Sequence, residues 1–320
     1  MICNICPRHC KVDRKHTLGF CGASDTLKLA KADVFMWEEP CISGINGSGA
    51  IFFSGCNLKC CFCQNYKISS EGFGKEISVQ RLAQIFKELE QKGVHNINLV
   101  SPSHFMPQIA MALDIYKPNI PIVYNSNGYD DADTLKKFAK YIDIYLVDLK
   151  FCDSNLSLKY CKAKDYFLVA TKAINTMTSL QPKVIIKNGI MQKGVVIRHL
   201  VMPNCTKDSF KVLDWINANA KGKCLISLMG QYTPYFKACQ FAEINRKIKP
   251  IEYKIVLNYA TKLGLDEGYA QQLDSGSEKY IPIWDLKGVW HYLPSCTMCD
   301  KIIIGVFYGW IWFLFNKQTN

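Results

Sequence analysis

The stretch Ser54-Gly55-Cys56-Asn57-Leu58-Lys59-Cys60-Cys61-Phe62-Cys63-Gln64-Asn65 decides how the rest of the chain is read. It follows the apolar run Ala50-Ile51-Phe52-Phe53 and sets Cys56, Cys60 and Cys63 in C-x3-C-x2-C spacing. Three thiolates hold three irons of a [4Fe–4S] cluster and leave the fourth iron without a protein ligand, so a second molecule can bind there and receive an electron. The alternatives are zinc or plain buried thiols. Structural zinc takes four ligands, and the nearest fourth candidate, Cys61, is wedged inside the run.

Outward from this loop, short apolar runs alternate with longer amphipathic ones. Strands are expected at residues 51–55, 97–100, 120–124, 144–149, 195–202 and 224–229. Helices are expected at 78–93, 106–116, 132–141 and 207–220, with a mixed helical stretch reaching about residue 179. Alternation of this kind predicts βα units and a parallel sheet. Ser78 is a natural N-cap and Gly93 a natural terminator for the first helix. Polar groups recur where the strands end: Cys56, then Ser101-Pro102-Ser103-His104, Asn125-Ser126-Asn127-Gly128, Asp148 with Lys150, Arg198-His199 and Gln231. A parallel barrel gathers those ends on one face, where active sites form.

The chain has 320 residues, 49% hydrophobic and 21% charged, enough for one large domain with additions or for two domains. Residues 1–48 read as a Cys-rich metal-binding segment, 49–289 as the core barrel, and 290–320 as a divergent hydrophobic tail. Sixteen cysteines in clusters, behind an opening with no secretory leader, point to metal sites in a reducing, cytoplasmic setting. Net charge is +12, which favours acidic partners. With no arginine-rich helix, aromatic RNA-binding motif or long lysine run, no DNA partner is expected, and an acidic, low-potential electron donor of the flavodoxin or ferredoxin kind is the best functional reading. The tail segment 302–315 is fourteen uncharged residues, short of the roughly 18–20 that a spanning helix needs. A membrane-surface anchor, a buried segment and sequence unrelated to the fold all stay open for it.

Cys3, Cys6, Cys10 and Cys21 stand in C-x2-C-x3-C-x10-C spacing, enough for zinc or a second iron–sulfur cluster. Arg8, Lys11 and Arg14 nearby are expected to lower the thiol pKa values. Asn125 and Asn127 suit ribose or adenine edges, or a turn. Asp148 and Lys150, two apart on a strand, share a face and suit an ion pair or a cofactor contact. Arg198 and His199 point to opposite faces, so at most one meets the barrel interior, and Arg198 suits a bidentate grip on a carboxylate. Cys152, Cys161, Cys205, Cys224 and Cys239 read as ordinary thiols, and the Cys296–Cys299 pair is isolated.

The segment Ser54–Asn65 resembles the signature of radical S-adenosylmethionine (SAM) enzymes, and more narrowly the branch related to pyruvate formate-lyase activating enzymes. Further segments are similar to a subgroup often called PflX proteins: Cys3-Asn4-Ile5-Cys6-Pro7-Arg8-His9-Cys10, Glu38-Glu39-Pro40-Cys41-Ile42-Ser43-Gly44, Asn98-Leu99-Val100-Ser101-Pro102-Ser103-His104, Arg198-His199-Leu200-Val201-Met202-Pro203 and Gln231-Tyr232-Thr233-Pro234. The similarity runs to Val289. The resemblance implies an α/β fold, a partial (β/α)6 TIM-like barrel with a small Cys-rich N-terminal extension. It implies SAM on the open iron of a [4Fe–4S] cluster, reductive cleavage to a 5′-deoxyadenosyl radical, and hydrogen abstraction from a glycyl radical enzyme or a small molecule. Many members carry a Gly-Gly-Glu-Pro type segment after the second strand. Ser101-Pro102-Ser103-His104 stands there instead, and Ser101, Ser103 and His104 are expected to receive the cofactor's ammonium. A redox iron–sulfur protein without SAM chemistry and a radical RNA-modifying enzyme are the competing functions.

Overall fold

The computed structural model describes residues 2–271 and 281–290. Cys296, Cys299 and the tail 302–315 lie outside the described residues. The chain up to Val289 forms one compact unit. Its strands are β1 (Leu27–Phe35), β2 (Ser48–Phe53), β3 (Lys75–Ile77), β4 (Ile97–Val100), β5 (Ile122–Ser126), β6 (Ile144–Asp148), β7 (Ile185–Lys187), β8 (Ile190–Leu200), β9 (Leu225–Met229) and β10 (Gly268–Ala270). Its helices are α1 (Pro40–Ser43), α2 (Tyr66–Ser69), α3 (Val79–Gln91), α4 (Met106–Ile115), α5 (Ala132–Phe138), α6 (Ser154–Cys161), α7 (Tyr166–Leu180), α8 (Thr206–Asn219) and α9 (Pro250–Lys262).

The six expected strands are β2, β4, β5, β6, β8 and β9, each parallel to the next. Their apolar runs read clearly because parallel strands are covered on both faces; every residue of β2, β4 and β5 is buried. Ser78 caps α3 as expected, its side chain accepting from Arg81 N at 3.1 Å. The sheet stays open, in the order β10-β9-β8-β6-β5-β4-β2-β1-β3. This is the α/β, partial TIM-like barrel that the sequence predicts.

β7 and α9 had no counterpart among the expected elements, and neither did the two edges of the sheet. β10 adds a seventh parallel strand beside β9. At the other edge, β1 pairs antiparallel with both β2 and β3, so residues 27–35 belong to the sheet although they lie in the segment read as a lead-in. Residues 281–289 brace this edge. Ala32 N donates to Lys287 O at 2.8 Å, and the buried Arg81 of α3 donates to the carbonyls of Val289 and Gly288 at 3.0 and 2.9 Å.

Strand alternation then sorts the side chains. Ile97, Leu99, Ile122, Tyr124, Tyr145, Val147, Val195 and Ile197 join the main core with the helices. The residues between them face the concave side. There Val123, Ile144, Leu146 and Val196 form a small apolar floor, and Asn125, Asp148 and Arg198 follow it in the same alternation toward the carboxyl ends. Among the described residues no helix is long and apolar enough to cross a membrane.

The turn after β5 requires glycine. Gly128 has φ +84°, and a Cβ there would collide with the carbonyl oxygen of Asp148. Gly93, φ +76°, has open space around the same position. Gly128→Ala is therefore expected to cost about 2–4 kcal/mol, and Gly93→Ala only about 1 kcal/mol, as measured by urea unfolding.

Candidate active site

A cavity of about 480 Å³ opens at the carboxyl ends of the strands. One wall is the loop after β2, with Cys56, Cys60 and Cys63; another is the segment Phe35–Glu38 that leaves β1. Ser101, Asn125, Asn127, Asp148, Lys150 and Arg198 also line it, as do Gln231 and Tyr232. The strand ends thus bring most of the expected residues together.

A charged lattice occupies the concave side. Asp148 and Arg198 are register partners on β6 and β8. Arg198 Nε donates to Asp148 Oδ1 at 2.8 Å, Nη1 to Glu38 Oε2 at 3.2 Å and Nη2 to Asn125 Oδ1 at 2.6 Å. Lys150 Nζ lies 2.5 Å from Asp148 Oδ2. Glu38 Oε1 accepts from Asn98 Nδ2 at 2.9 Å and from Asn125 Nδ2 at 3.1 Å. Burial works against ionisation of Asp148, but Arg198 and Lys150 outweigh it and hold the carboxyl below its usual range. Burial pushes Glu38 up to about 7, with Arg198 opposing. Arg198, which suited a bidentate grip on a carboxylate, spends one N–H of each of its three nitrogens on the protein, and Nη1 and Nη2 each carry a second. Glu38 and Asn98 are members of this lattice that the sequence reading gave no role. The signal for Glu38 was a carboxylate just ahead of the first helix; the signal for Asn98 was a lone amide inside an apolar strand.

The cysteine loop is held by main-chain bonds from several directions. Cys56 N donates to Cys21 O at 3.1 Å, Lys59 N to Cys161 O at 3.2 Å, Cys61 N to Tyr160 O at 2.8 Å, and Lys237 N to Cys61 O at 2.8 Å. Arg8 Nε reaches Asn57 O at 2.8 Å while its guanidinium sits over the rings of Phe20 and Tyr129. Cys56 Sγ accepts from Asn127 Nδ2 at 3.2 Å and from Leu58 N at 3.4 Å. Cys63 Sγ is 3.3 Å from Ser69 Oγ, and Cys60 Sγ is 3.3 Å from Cys161 Sγ. Cys161 had read as an ordinary thiol. Asn127 also closes a turn through Tyr129 N, 2.9 Å from its Oδ1, which is the turn reading of this residue, while Asn125 is engaged by Arg198 and Glu38.

Ser103 and His104 do not line the cavity. Ser101 has φ +57°, and the chain turns there into the helical layer. Ser103 Oγ donates to the buried Asp130 at 2.5 Å, joined by Tyr124 OH at 2.7 Å and by Ser126 Oγ. His104 Nε2 pairs with Ser54 O at 2.8 Å behind the cysteine loop. His199 faces away from Arg198, with Nδ1 2.7 Å from Leu149 O and Nε2 2.9 Å from Ser209 Oγ.

The N-terminal cysteines gather around one turn: a Cβ on Gly19 would touch Cys21 Sγ at 3.2 Å and Cys10 Sγ at 3.6 Å. Their thiols diverge: at Cys10 burial is outweighed by main-chain hydrogen bonds and one from Cys3, and the thiol is lowered, though by hydrogen bonds rather than by the nearby bases. Burial pushes Cys6 up to about 12 and raises Cys21, and Arg14 is turned to the carbonyls of His104 and Ser24. Among the described residues no three His, Cys, Asp or Glu side chains are arranged to hold a single metal ion. A cubane does not ask for that, since its ligands sit on different irons.

The Radical SAM superfamily model matches residues 50–215, more than half of the chain. The chain belongs to the radical SAM superfamily. An uncharacterized protein of Methanocaldococcus jannaschii is 32% identical over 279 residues, 82% of this chain and 75% of the relative. The pyruvate formate-lyase-activating enzyme of Clostridium pasteurianum is 23% identical over 224 residues, 65% of this chain and 86% of that enzyme. The crystal structure of Streptococcus suis SuiB superposes with a TM-score of 0.50 at 15% identity, covering 71% of this chain and 50% of that one, a likeness of fold. Radical SAM membership implies a [4Fe–4S] cluster and SAM. The loop fits the cluster: three thiols on one cavity wall, with N–H donors aimed at the Cys56 sulfur.

The buried histidines make stability pH-dependent. Burial lowers both His104 and His199 to about 4, below the roughly 6.5 of an unfolded chain. Unfolding therefore takes up protons between those values, and this contribution is complete above about pH 6.5 and is lost as pH falls toward 4. Glu38, raised to about 7, runs the other way, its contribution being lost as pH rises through 7. His199→Gln is accordingly expected to flatten the fall in unfolding free energy between pH 6.5 and 4 relative to the parent, measured by urea titration at each pH.

Proposed function

We propose that this radical SAM enzyme is of the activase type and creates a substrate radical by abstracting hydrogen from a protein glycine or from a small molecule. One juxtaposition carries the reading: Cys56, Cys60 and Cys63 share a single cavity with Asp148, Lys150 and Arg198. Cys56, Cys60 and Cys63 would hold the cluster. When bound, the cluster supplies the electron that cleaves the sulfonium of SAM.

The chain's own residues do the rest. Leu58 N and Asn127 Nδ2 donate to the Cys56 sulfur, which eases the charge of a thiolate there and fixes its orientation. Lys150, held by Asp148, has ammonium protons to spare for an anionic group in the cavity. Arg198 is the post that keeps Asp148, Glu38 and Asn125 in place. Phe35, Phe52, Phe62, Leu200 and Met229 line the same cavity and exclude water from a reactive species. The similarity to the Clostridium pasteurianum activating enzyme favours a protein substrate. The charge of +12 suits an acidic, low-potential electron donor.

Anaerobic reconstitution with iron, sulfide, dithionite and SAM should yield 5′-deoxyadenosine, and Cys60→Ala should abolish it. Lys150→Met should weaken SAM binding by roughly 10-fold or more, the loss of one charge-assisted hydrogen bond. An intact cluster spectrum with no 5′-deoxyadenosine would remove the reading.

We further propose that Cys3, Cys6, Cys10 and Cys21 take a structural metal, either zinc or a second iron–sulfur cluster. The support is their spacing and the bond from Cys56 N to Cys21 O, through which a stapled lead-in would brace the cluster loop. Elemental analysis of the purified chain should give zinc, or iron beyond a single [4Fe–4S] cluster, and Cys3→Ser/Cys6→Ser should lose it. Protein with neither would exclude the proposal.

A further inference from the structure

Cys161 is the last residue of α6, and it is fully buried. Its Sγ lies 3.3 Å from Cys60 Sγ, and neither is in a disulfide. Two main-chain bonds clamp the pair from either side of Cys60: Lys59 N to Cys161 O at 3.2 Å and Cys61 N to Tyr160 O at 2.8 Å. The other two cysteines of the trio have different company, with an amide and a main-chain N–H at Cys56 and a hydroxyl at Cys63. Thiolates on two corners of a cubane stand further apart than 3.3 Å, so Cys161 is not placed as a fourth ligand. The two sulfurs also differ in access. Cys60 lines the cavity, whereas Cys161 does not.

We propose that Cys60 and Cys161 form a redox-modification site, at which a small-molecule disulfide converts the thiol pair of the cluster-free protein into a Cys60–Cys161 disulfide. Access sets the order of events. The Cys60 thiol loses its proton, its sulfur attacks one sulfur of oxidised glutathione, and one glutathione thiolate leaves. The Cys161 sulfur, already at contact distance, then attacks Cys60 Sγ, loses its proton and releases the second thiolate. One protein disulfide forms and one glutathione disulfide breaks. Two electrons pass to glutathione, and the two protons end on the two released thiolates. The modified Cys60 is protected from over-oxidation to sulfinic acid and is unable to take iron until a thiol reductant restores it. The consequence for iron rests on the proposed ligand role of Cys60, while the linkage itself does not.

The test uses the full-length chain, stripped of iron with a chelator, reduced, desalted and exposed anaerobically to oxidised glutathione. Free thiols are then alkylated and the digest is read by mass spectrometry. The Cys60–Cys161 linked peptide should be the main product. Cys161→Ser and Cys161→Ala should each leave Cys60 as the glutathione mixed disulfide, and dithiothreitol should restore iron uptake by the oxidised parent chain. Linkage of Cys60 mainly to Cys56 or Cys63, a persistent mixed disulfide in the parent chain, or unmodified Cys60 would overturn the proposal. Those outcomes would leave 5′-deoxyadenosine formation by the reconstituted enzyme untouched, so the two readings fail separately.

Discussion

A guanidinium half-buried on the concave face of a parallel sheet is best neutralised where it stands, and the cavity is organised around that requirement. Arg198 is held by Asp148 from the neighbouring strand, by Asn125 from the strand beyond it, and by Glu38 from the segment after β1. Three parts of the chain far apart in sequence are thereby fixed against one cation. Removing Asp148 would leave Arg198 with Glu38 as its remaining carboxylate and Lys150 without its own, so one substitution disturbs two cations at once. The lattice also sets which groups remain available to a ligand. Lys150 stands at its rim with one carboxylate contact, Asn125 is engaged on both its amide oxygen and its nitrogen, and Arg198 carries a second N–H on each of Nη1 and Nη2 beyond those its neighbours use.

The cysteine loop is fixed by a different physics. It contains little regular structure of its own, and its main-chain groups are satisfied from outside: by Cys21 in the lead-in, by the last carbonyls of α6, and by Lys237 after β9. Helix ends have carbonyls to spare, and α6 uses two of them to hold the backbone on either side of Cys60. The loop is therefore positioned before any ligand arrives, as a site that must hold several sulfurs in a set arrangement requires.

The parallel frame was legible because buried strands are unbroken apolar runs, and the cysteine spacing was legible because few chemistries ask for it. What escaped depended on tertiary context. β10 is only Gly268-Tyr269-Ala270, too short to carry a period. β1 alternates well enough, but its place in the sheet comes from pairing with β2 and β3 and from the strap at residues 281–289. Ser103 and His104 follow a strand as active-site residues do. One residue of positive φ at Ser101 turns them into the helical layer, and sequence does not announce such a turn at a non-glycine residue. Glu38 and Cys161 reach the cavity region from 160 residues before Arg198 and 101 residues after Cys60, separations that no local pattern encodes.

The clasp on Arg81 bears on how the molecule is made. This side chain lies near the start of the third helix, yet the carbonyls it holds belong to residues 207 and 208 positions further on. A ribosome adding 5–20 residues per second needs on the order of ten to forty seconds to cover that distance. Throughout that interval the antiparallel edge lacks its brace, whereas β4, β5 and β6 gain their parallel neighbours one after another as they are made. An edge made before the parallel strands is thus finished after them, and the nascent sheet has a vulnerable margin until residues 288 and 289 arrive.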